Sequence, residues 1–232
     1  MNLTVVVPCF NEERRLPLAL DIAERYRERN SRSFELILVD DGSTDRTRQI
    51  IEEARRLHPY VRGVRLVRHY GKGRAIVEGV KSSQGELVLL SDVDFSAPID
   101  ELPKLEDAIA GGADVAIGSR AKKGAREVDQ PFYRRFMGKT FNLMVQSLLL
   151  PGIWDTQCGF KLLRGEVARG LARDLQIDGF AYDVELLYLA KRAGYRICEI
   201  PVRWMNSDIT RVSALRDSSR MLRDILRIRF RR

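Results

Sequence analysis

Short, mostly apolar runs recur along the first half of the chain, with helix-patterned stretches between them. Leu3 to Val7 is followed by Leu16 to Tyr26, Phe34 to Val39 by Thr47 to Leu57, and Val64 to Val67 by Ala75 to Val80; then comes Leu87 to Leu90. The runs are continuous rather than alternating with polar residues, so both faces of each strand are expected to be covered. That condition defines an α/β fold: a mostly parallel sheet with helices on both faces. A further strand is expected at Ala113 to Ile117. In open sheets of this kind the ligand crevice lies beyond the C-terminal ends of the strands. Four polar segments fall there: Pro8 to Glu12, Asp40 to Ser43, His69 to Gly73 and Asp92 to Asp94.

Asp92-Val93-Asp94 follows the run Leu87 to Ser91, which sets two carboxylates on alternate positions at the mouth of a buried strand. Carboxylate oxygens are the ligands that Mg²⁺ or Mn²⁺ prefers, and such ions keep positions open for substrate phosphates. Asp-x-Asp alone also describes a solvated turn, so its weight comes from the other three segments. Asp40-Asp41-Gly42-Ser43-Thr44-Asp45 reads as a turn and helix cap from Gly42 onward. Two successive acids at the strand end are more than a cap requires, and either could accept from a base imide or a ribose hydroxyl. His69-Tyr70-Gly71-Lys72-Gly73 has the spacing of neither a P-loop nor a dinucleotide fingerprint. It reads as a tight turn delivering Lys72 and backbone N–H groups toward phosphates, or as a plain turn with a solvated lysine.

The 232 residues suffice for one sizeable core. Cys9, Cys158 and Cys198 are odd in number and widely spaced, which indicates buried thiols rather than a disulfide framework. With His58 and His69 the only histidines, a metal would have to sit on oxygen. No run reaches the length of a membrane span and no leader peptide is recognisable, so the expected location is cytoplasmic, peripheral at the inner face of the membrane.

The formal charge is +8, and residues 211–232 hold eight Arg against Asp217 and Asp224, a net +6. Arg216, Arg220, Arg223 and Arg227 form one stripe at helical spacing, and Leu215, Leu222, Ile225 and Leu226 another. This is a basic amphipathic C-terminal helix. It would either pack on the domain with solvated arginines, touch nucleic acid, or lie on anionic lipid. Nucleic acid is disfavoured, because the tail lacks interleaved aromatics and the four strand-end segments would go unexplained.

Beyond Gly118 the pattern loosens into a charged loop at Ala121 to Asp129, a helix around Phe132 to Leu150 and another near Val184 to Ala193. One catalytic domain over residues 1–210 is expected, its 1–118 half for a nucleotide sugar and its 119–210 half for an acceptor, with 211–232 appended. Asp183 and Glu185 are too close for one helical face; Asp183 is expected to enter the site. Trp204 is read as a platform for a sugar or lipid, or as a packed aromatic.

Val5-Val6-Val7-Pro8-Cys9-Phe10-Asn11-Glu12, Val39-Asp40-Asp41-Gly42-Ser43, Gly71-Lys72-Gly73 and Asp92-Val93-Asp94 together resemble the inverting GT-A glycosyltransferases of family 2. Asp155-Thr156-Gln157-Cys158-Gly159-Phe160-Lys161-Leu162 and Phe180 to Leu187 add a resemblance to dolichyl-phosphate glucosyltransferases. The resemblance implies that Pro8, Phe10, Asn11, Glu12, Asp40 or Asp41, Lys72 and Val93 surround the nucleotide. It implies that Asp92 and Asp94 hold the diphosphate through Mg²⁺ or Mn²⁺, and that Asp183 joins them in catalysis. The implied partners are a UDP-sugar donor, with a GDP-sugar the alternative, and a polyprenyl or dolichyl phosphate whose own ionised oxygen attacks. Arg120, with Arg135 and Lys139 one helical turn apart, are candidates to grip that phosphate, Arg134 competing with Arg135. Gln157 and Lys161 would meet sugar hydroxyls or phosphate. The rivals are a mannosyltransferase and a transferase with a soluble acceptor.

Overall fold

The computed structural model describes residues 2–30, 34–128, 132–205 and 214–230. A seven-stranded sheet runs β3-β2-β1-β4-β7-β5-β8. Its first part consists of β1 (Leu3–Cys9), β2 (Phe34–Asp40), β3 (Val61–Arg65) and β4 (Leu87–Leu90), all parallel. The intervening helices are α1 (Leu16–Asn30), α2 (Thr47–Leu57) and α3 (Lys72–Ser82).

Side chains of a strand alternate between faces, and here both sets are apolar. Leu3, Val5, Val7, Leu36 and Leu38 pack with α1, α2 and α4 (Leu102–Ala110). Val6, Ile37, Val39 and Leu90 face α3, α6 (Gly165–Asp174) and α7 (Tyr182–Arg192). Fully burying each such side chain is worth about 1.5–3 kcal/mol, so the two faces form two cores on either side of one sheet.

The expected strand at Val64 to Val67 lies three residues earlier, because Val61–Arg65 pairs with Leu36–Asp40 and leaves Val67 exposed. The expected strand at Ala113 is β5 (Val115–Ser119); the Ala113 N–H instead closes the turn after α4 on the Ala108 carbonyl.

One strand reverses the sheet. β7 (Lys161–Arg164) lies antiparallel between β4 and β5, with Leu90 opposite Lys161 and Ile117 opposite Lys161 on its other side. The residues that precede β7, Asp155 to Phe160, therefore arrive at the same sheet edge as the residues that follow β4 and β5. β8 (Ile197–Pro201) completes the sheet beside β5, and β9 (Arg203–Met205) pairs with β6 (Arg126–Val128) in a separate ribbon. β9 is fastened to the turn after β4: the Met205 N–H donates to the Ser96 carbonyl at 2.8 Å, and Arg203 bonds the buried Glu101.

α5 spans Phe132–Leu148 and α8 spans Ala214–Phe230. α8 buries Met221, Ile225 and Ile228 in the core shared with α7 and leaves Leu222, Leu226 and Phe230 exposed. Among the described residues no helix is long and apolar enough to cross a membrane.

Candidate active site

Strand order turns at β1, which has β2 on one side and β4 on the other. Such a reversal opens a crevice at the C-terminal ends of the two diverging strands, and here it is flanked by Glu12 after β1 and by Asp92 and Asp94 after β4. The Val93 side chain is buried in the core between the two carboxylates, so only its backbone is left to meet a nucleotide.

Lys72 opens α3 and bonds Asp92 Oδ1 at 2.6 Å. Burial disfavours its charge, but Asp92, with Tyr182 and Asp183 behind it, holds Lys72 well above the ordinary lysine value. Asp94 Oδ1 accepts from the Ser96 amide and hydroxyl, while Oδ2 lies 3.3 Å from Arg15. No local motif in the sequence marks Arg15. Its Nε donates to Glu12 at 2.6 Å, so Glu12 is committed to orienting a cation that points at Asp94.

Gly71 and Gly73 have a clear local reason. Gly71 has φ +129°, and a Cβ on Gly73 would fall 2.7 Å from Tyr182 Cβ and 3.0 Å from the Gly179 carbonyl. The amides of Gly73 and Arg74 donate to Asp178 O, and those of Tyr70 and Gly71 donate to Asp41. The expectation that this turn offers backbone N–H groups to phosphates is corrected at those four residues: their donors are used internally. Lys72 is what the turn delivers.

Asp41 also accepts from His69 Nδ1 at 2.8 Å. Burial raises its carboxyl above the ordinary value against those bonds. Of the two acids left open by the sequence, Asp41 thus braces the turn, whereas Asp40 spends only Oδ1, on the Ser43 amide. Asp40 Oδ2 is buried without a hydrogen-bond partner among the described residues. Beside them the Phe10 ring stacks on His69 at 3.8 Å, Pro8 is half-buried at the end of β1, and Asn11 Oδ1 accepts from the Thr44 amide.

The second half closes on the same edge. Gly159 passes so near Asp92 that a Cβ would fall 2.7 Å from its Cγ. Arg120 makes a bidentate pair with buried Asp155 and lies over the Trp204 ring at 5.4 Å. Burial alone would raise Asp155, but Arg120 outweighs it and holds the carboxyl below its usual range. Glu199 accepts from the Trp154 and Asp155 amides, fixing this loop. A narrow crevice lined by Ser91, Asp92, Ser96, Gly159 and Trp204 remains between the halves.

One expectation changes here. Lys161 is fully buried, with its ammonium on Asp183 and on the Cys158 carbonyl, so it supports Asp183 rather than reaching out to a sugar. Asp183 is buried behind Lys72; Glu185 instead accepts the Gln176 and Ile177 amides. Gln157 is half-buried in the loop over Asp92. Arg135 and Lys139 lie on α5, and their side chains, like that of Arg134, fall outside the described residues.

Among the described residues no three His, Cys, Asp or Glu side chains converge as a metal cage. Asp92 in the crevice and Asp94 two residues on, each already holding a cation, fit instead a hard ion that takes its remaining ligands from a bound anion. Asp92 and Asp94 would hold it.

A family model, Glycosyl transferase family 2, matches residues 4–171. The chain belongs to this family. The glycosyltransferase is 37% identical over 244 residues to dolichyl-phosphate beta-glucosyltransferase of Mus musculus, covering 99% of this chain and 75% of that protein. It is 33% identical over 246 residues to the Saccharomyces cerevisiae protein of the same name, covering 98% and 74%. In fold it is similar to glucosyl-3-phosphoglycerate synthase from Mycobacterium tuberculosis in complex with Mn²⁺, UDP and glucosyl-3-phosphoglycerate, with TM-score 0.71, 18% identity and coverage of 98% and 78%. Mannosyl-3-phosphoglycerate synthase from Rubrobacter xylanophilus also gives TM-score 0.71, at 17% identity over 98% of this chain and 72% of that one.

Proposed function

We propose that this glycosyltransferase moves glucose from UDP-glucose to a polyprenyl or dolichyl phosphate, with inversion, using Mg²⁺ or Mn²⁺ held by Asp92 and Asp94. The relatives named for that reaction support the sugar and the acceptor class. The observation that carries the acceptor is the charge balance of the site. Asp92, Asp94, Asp155 and Asp183 each bond a Lys or Arg. A sugar hydroxyl would need a carboxylate placed to take its proton; a phosphate oxygen arrives ionised and needs orientation instead.

In this reading residues 1–118 bind the nucleotide sugar and 119–210 the acceptor. Phe10, Pro8 and the free oxygen of Asp40 meet the base and ribose, and Lys72 turns from Asp92 to the diphosphate. Arg120, held by Asp155, presents a cation beside the crevice, with Arg135 and Lys139 as further candidates on α5. The divalent ion would act as a Lewis acid on the departing diphosphate. An anionic membrane surface is the proposed platform. The exposed stripe Leu222, Leu226 and Phe230 lies beside exposed Arg223 and Arg227 on α8, the pattern of a helix lying in a lipid interface.

The test is transfer from radiolabelled UDP-glucose or GDP-mannose to a short polyprenyl phosphate in detergent, with Mg²⁺, Mn²⁺ or EDTA. Lipid labelling from UDP-glucose that EDTA removes is expected. Labelling from GDP-mannose alone, or of 3-phosphoglycerate in place of the lipid, would overturn the assignment.

A further inference from the structure

Each carboxylate after β4 bonds a cation of the chain itself, and the two cations come from opposite sides of the crevice. Lys72 reaches Asp92 from α3, and Arg15 reaches Asp94 from the start of α1 while its other nitrogens hold Glu12. Neither is a solvated surface partner: the Lys72 and Arg15 side chains are 20% and 17% exposed. The Glu12 amide is itself fixed on Thr47 Oγ1 at 2.6 Å, and the Asp94 carboxylate is fixed by Ser96, so the Glu12-Arg15-Asp94 chain is anchored at both ends.

Three carboxylates thus face two cations before any ligand binds. We infer that Lys72 and Arg15 are built-in counter-ions of the Asp92/Asp94 pair, and that they tie binding of the divalent cation to binding of the nucleotide. A divalent cation arriving alone must displace two short-range ion pairs for a site carrying little net negative charge. A nucleoside diphosphate changes the balance, because its oxygens offer Lys72 a new partner, release Asp92 and add negative charge of their own. Arg15, itself held by Glu12, is the counter-ion of Asp94, and the negative charge that the diphosphate adds offsets it.

Linkage makes the effect reciprocal: whatever factor UDP adds to cation affinity, the cation adds to UDP affinity, typically about 5–150-fold for coupled sites. The inference rests on the assignment of Asp92 and Asp94 to the metal, and the experiment separates the two.

Mn²⁺ binding to the whole chain is titrated by electron paramagnetic resonance, with and without UDP. For wild type, weak binding that UDP tightens at least about tenfold is expected. Lys72→Met and Arg15→Gln each remove one counter-ion. Each should tighten nucleotide-free Mn²⁺ binding by about tenfold and shrink the UDP enhancement, whereas Lys72→Arg should behave as wild type. Nucleotide-free binding no tighter than wild type in both charge-removing variants would overturn the inference. Asp94→Asn is the control for the underlying assignment: it should lose Mn²⁺ binding in the presence of UDP. Retention there would reject the metal ligands themselves, whatever the counter-ion variants do.

Discussion

Gly159→Ala tests whether the second half of the chain closes on Asp92 as described. Gly159 carries no left-handed backbone, so the substitution is felt through its new methyl group alone. That methyl would lie 2.7 Å from Asp92 Cγ and 3.0 Å from Oδ1, and closer still to Oδ2. Carbon and oxygen atoms normally stay about 3.5 Å apart, so relief needs a displacement of about 1 Å. The Asp92 carboxylate is the part that can give, because its side chain is 38% exposed while Phe160 beside it is fully buried and pinned by β7. Turning the carboxylate aside preserves the core, and the unfolding free energy should change by less than about 1 kcal/mol. A 1 Å misplacement of a group that positions the reacting parts costs roughly 100-fold in rate. Thermal unfolding and glucosyl transfer measured on the same preparation decide the matter. A fall of several degrees in Tm with activity within a few-fold of wild type would refute the placement of Gly159 against Asp92.

Other expectations follow from the ion pairs and from α8. Lys161→Met leaves Asp183 buried without its cation and should cost about 3–5 kcal/mol, roughly 10 °C in Tm; adding Asp183→Leu should recover most of it in denaturant titrations. Asp155→Asn should destabilise the protein by an amount constant from pH 8 to 5. The Asp155 carboxyl is held below its usual range, so its contribution is complete above the unfolded value of ~3.9 and is lost as pH falls through the lower folded value. A gap that widens toward pH 3 would contradict the pairing with Arg120. Replacing Arg223 and Arg227 by Gln should weaken flotation on anionic vesicles by about 2 kcal/mol, roughly 30-fold, without moving Tm. Undiminished flotation would exclude this face as the contact.

The strands with continuous apolar runs, β1, β2 and β4, were legible because covering both faces leaves no polar alternation to misread. β7 was not. Lys161-Leu162-Leu163-Arg164 is short, begins and ends on a charge, and says nothing about direction. Its antiparallel insertion alone brings Asp155 to Phe160 beside Asp92. Lys161 misled for the same reason: a lysine is read as a surface group until a buried acid 22 positions away claims it. Arg15 was hidden in Glu12-Glu13-Arg14-Arg15, which looks like a solvated charge run. Its pair with Glu12 forms in the turn before α1, and Asp94 lies 79 positions away, joined to it only by the β1–β4 neighbourhood. Motif residues were found where strand ends expose them; their partners come from the topology and leave no local trace.

That distinction gives Asp40 and Asp41 different expected behaviour. Adjacent in sequence and both 2% exposed, they look interchangeable, yet their oxygens are spent differently. Asp41 uses both on the turn 69–71, so replacing it should loosen that turn and damage stability and binding together. Asp40 holds Ser43 with one oxygen and keeps the other unbonded, Arg65 Nε standing off at 3.8 Å. A buried acceptor without a donor costs about 1–3 kcal/mol, and an incoming base imide or ribose hydroxyl would recover that cost on binding. Asp40→Asn retains an oxygen for Ser43 and presents an amide donor where the acceptor stood. It should therefore leave unfolding within about 1 kcal/mol of wild type while weakening UDP by about 1–3 kcal/mol, roughly 5–150-fold. Calorimetry with UDP and denaturant titration separate these effects. If Asp40→Asn binds UDP like wild type while Asp41→Asn loses binding at unchanged stability, the base is read by Asp41 and the unbonded oxygen of Asp40 has another purpose.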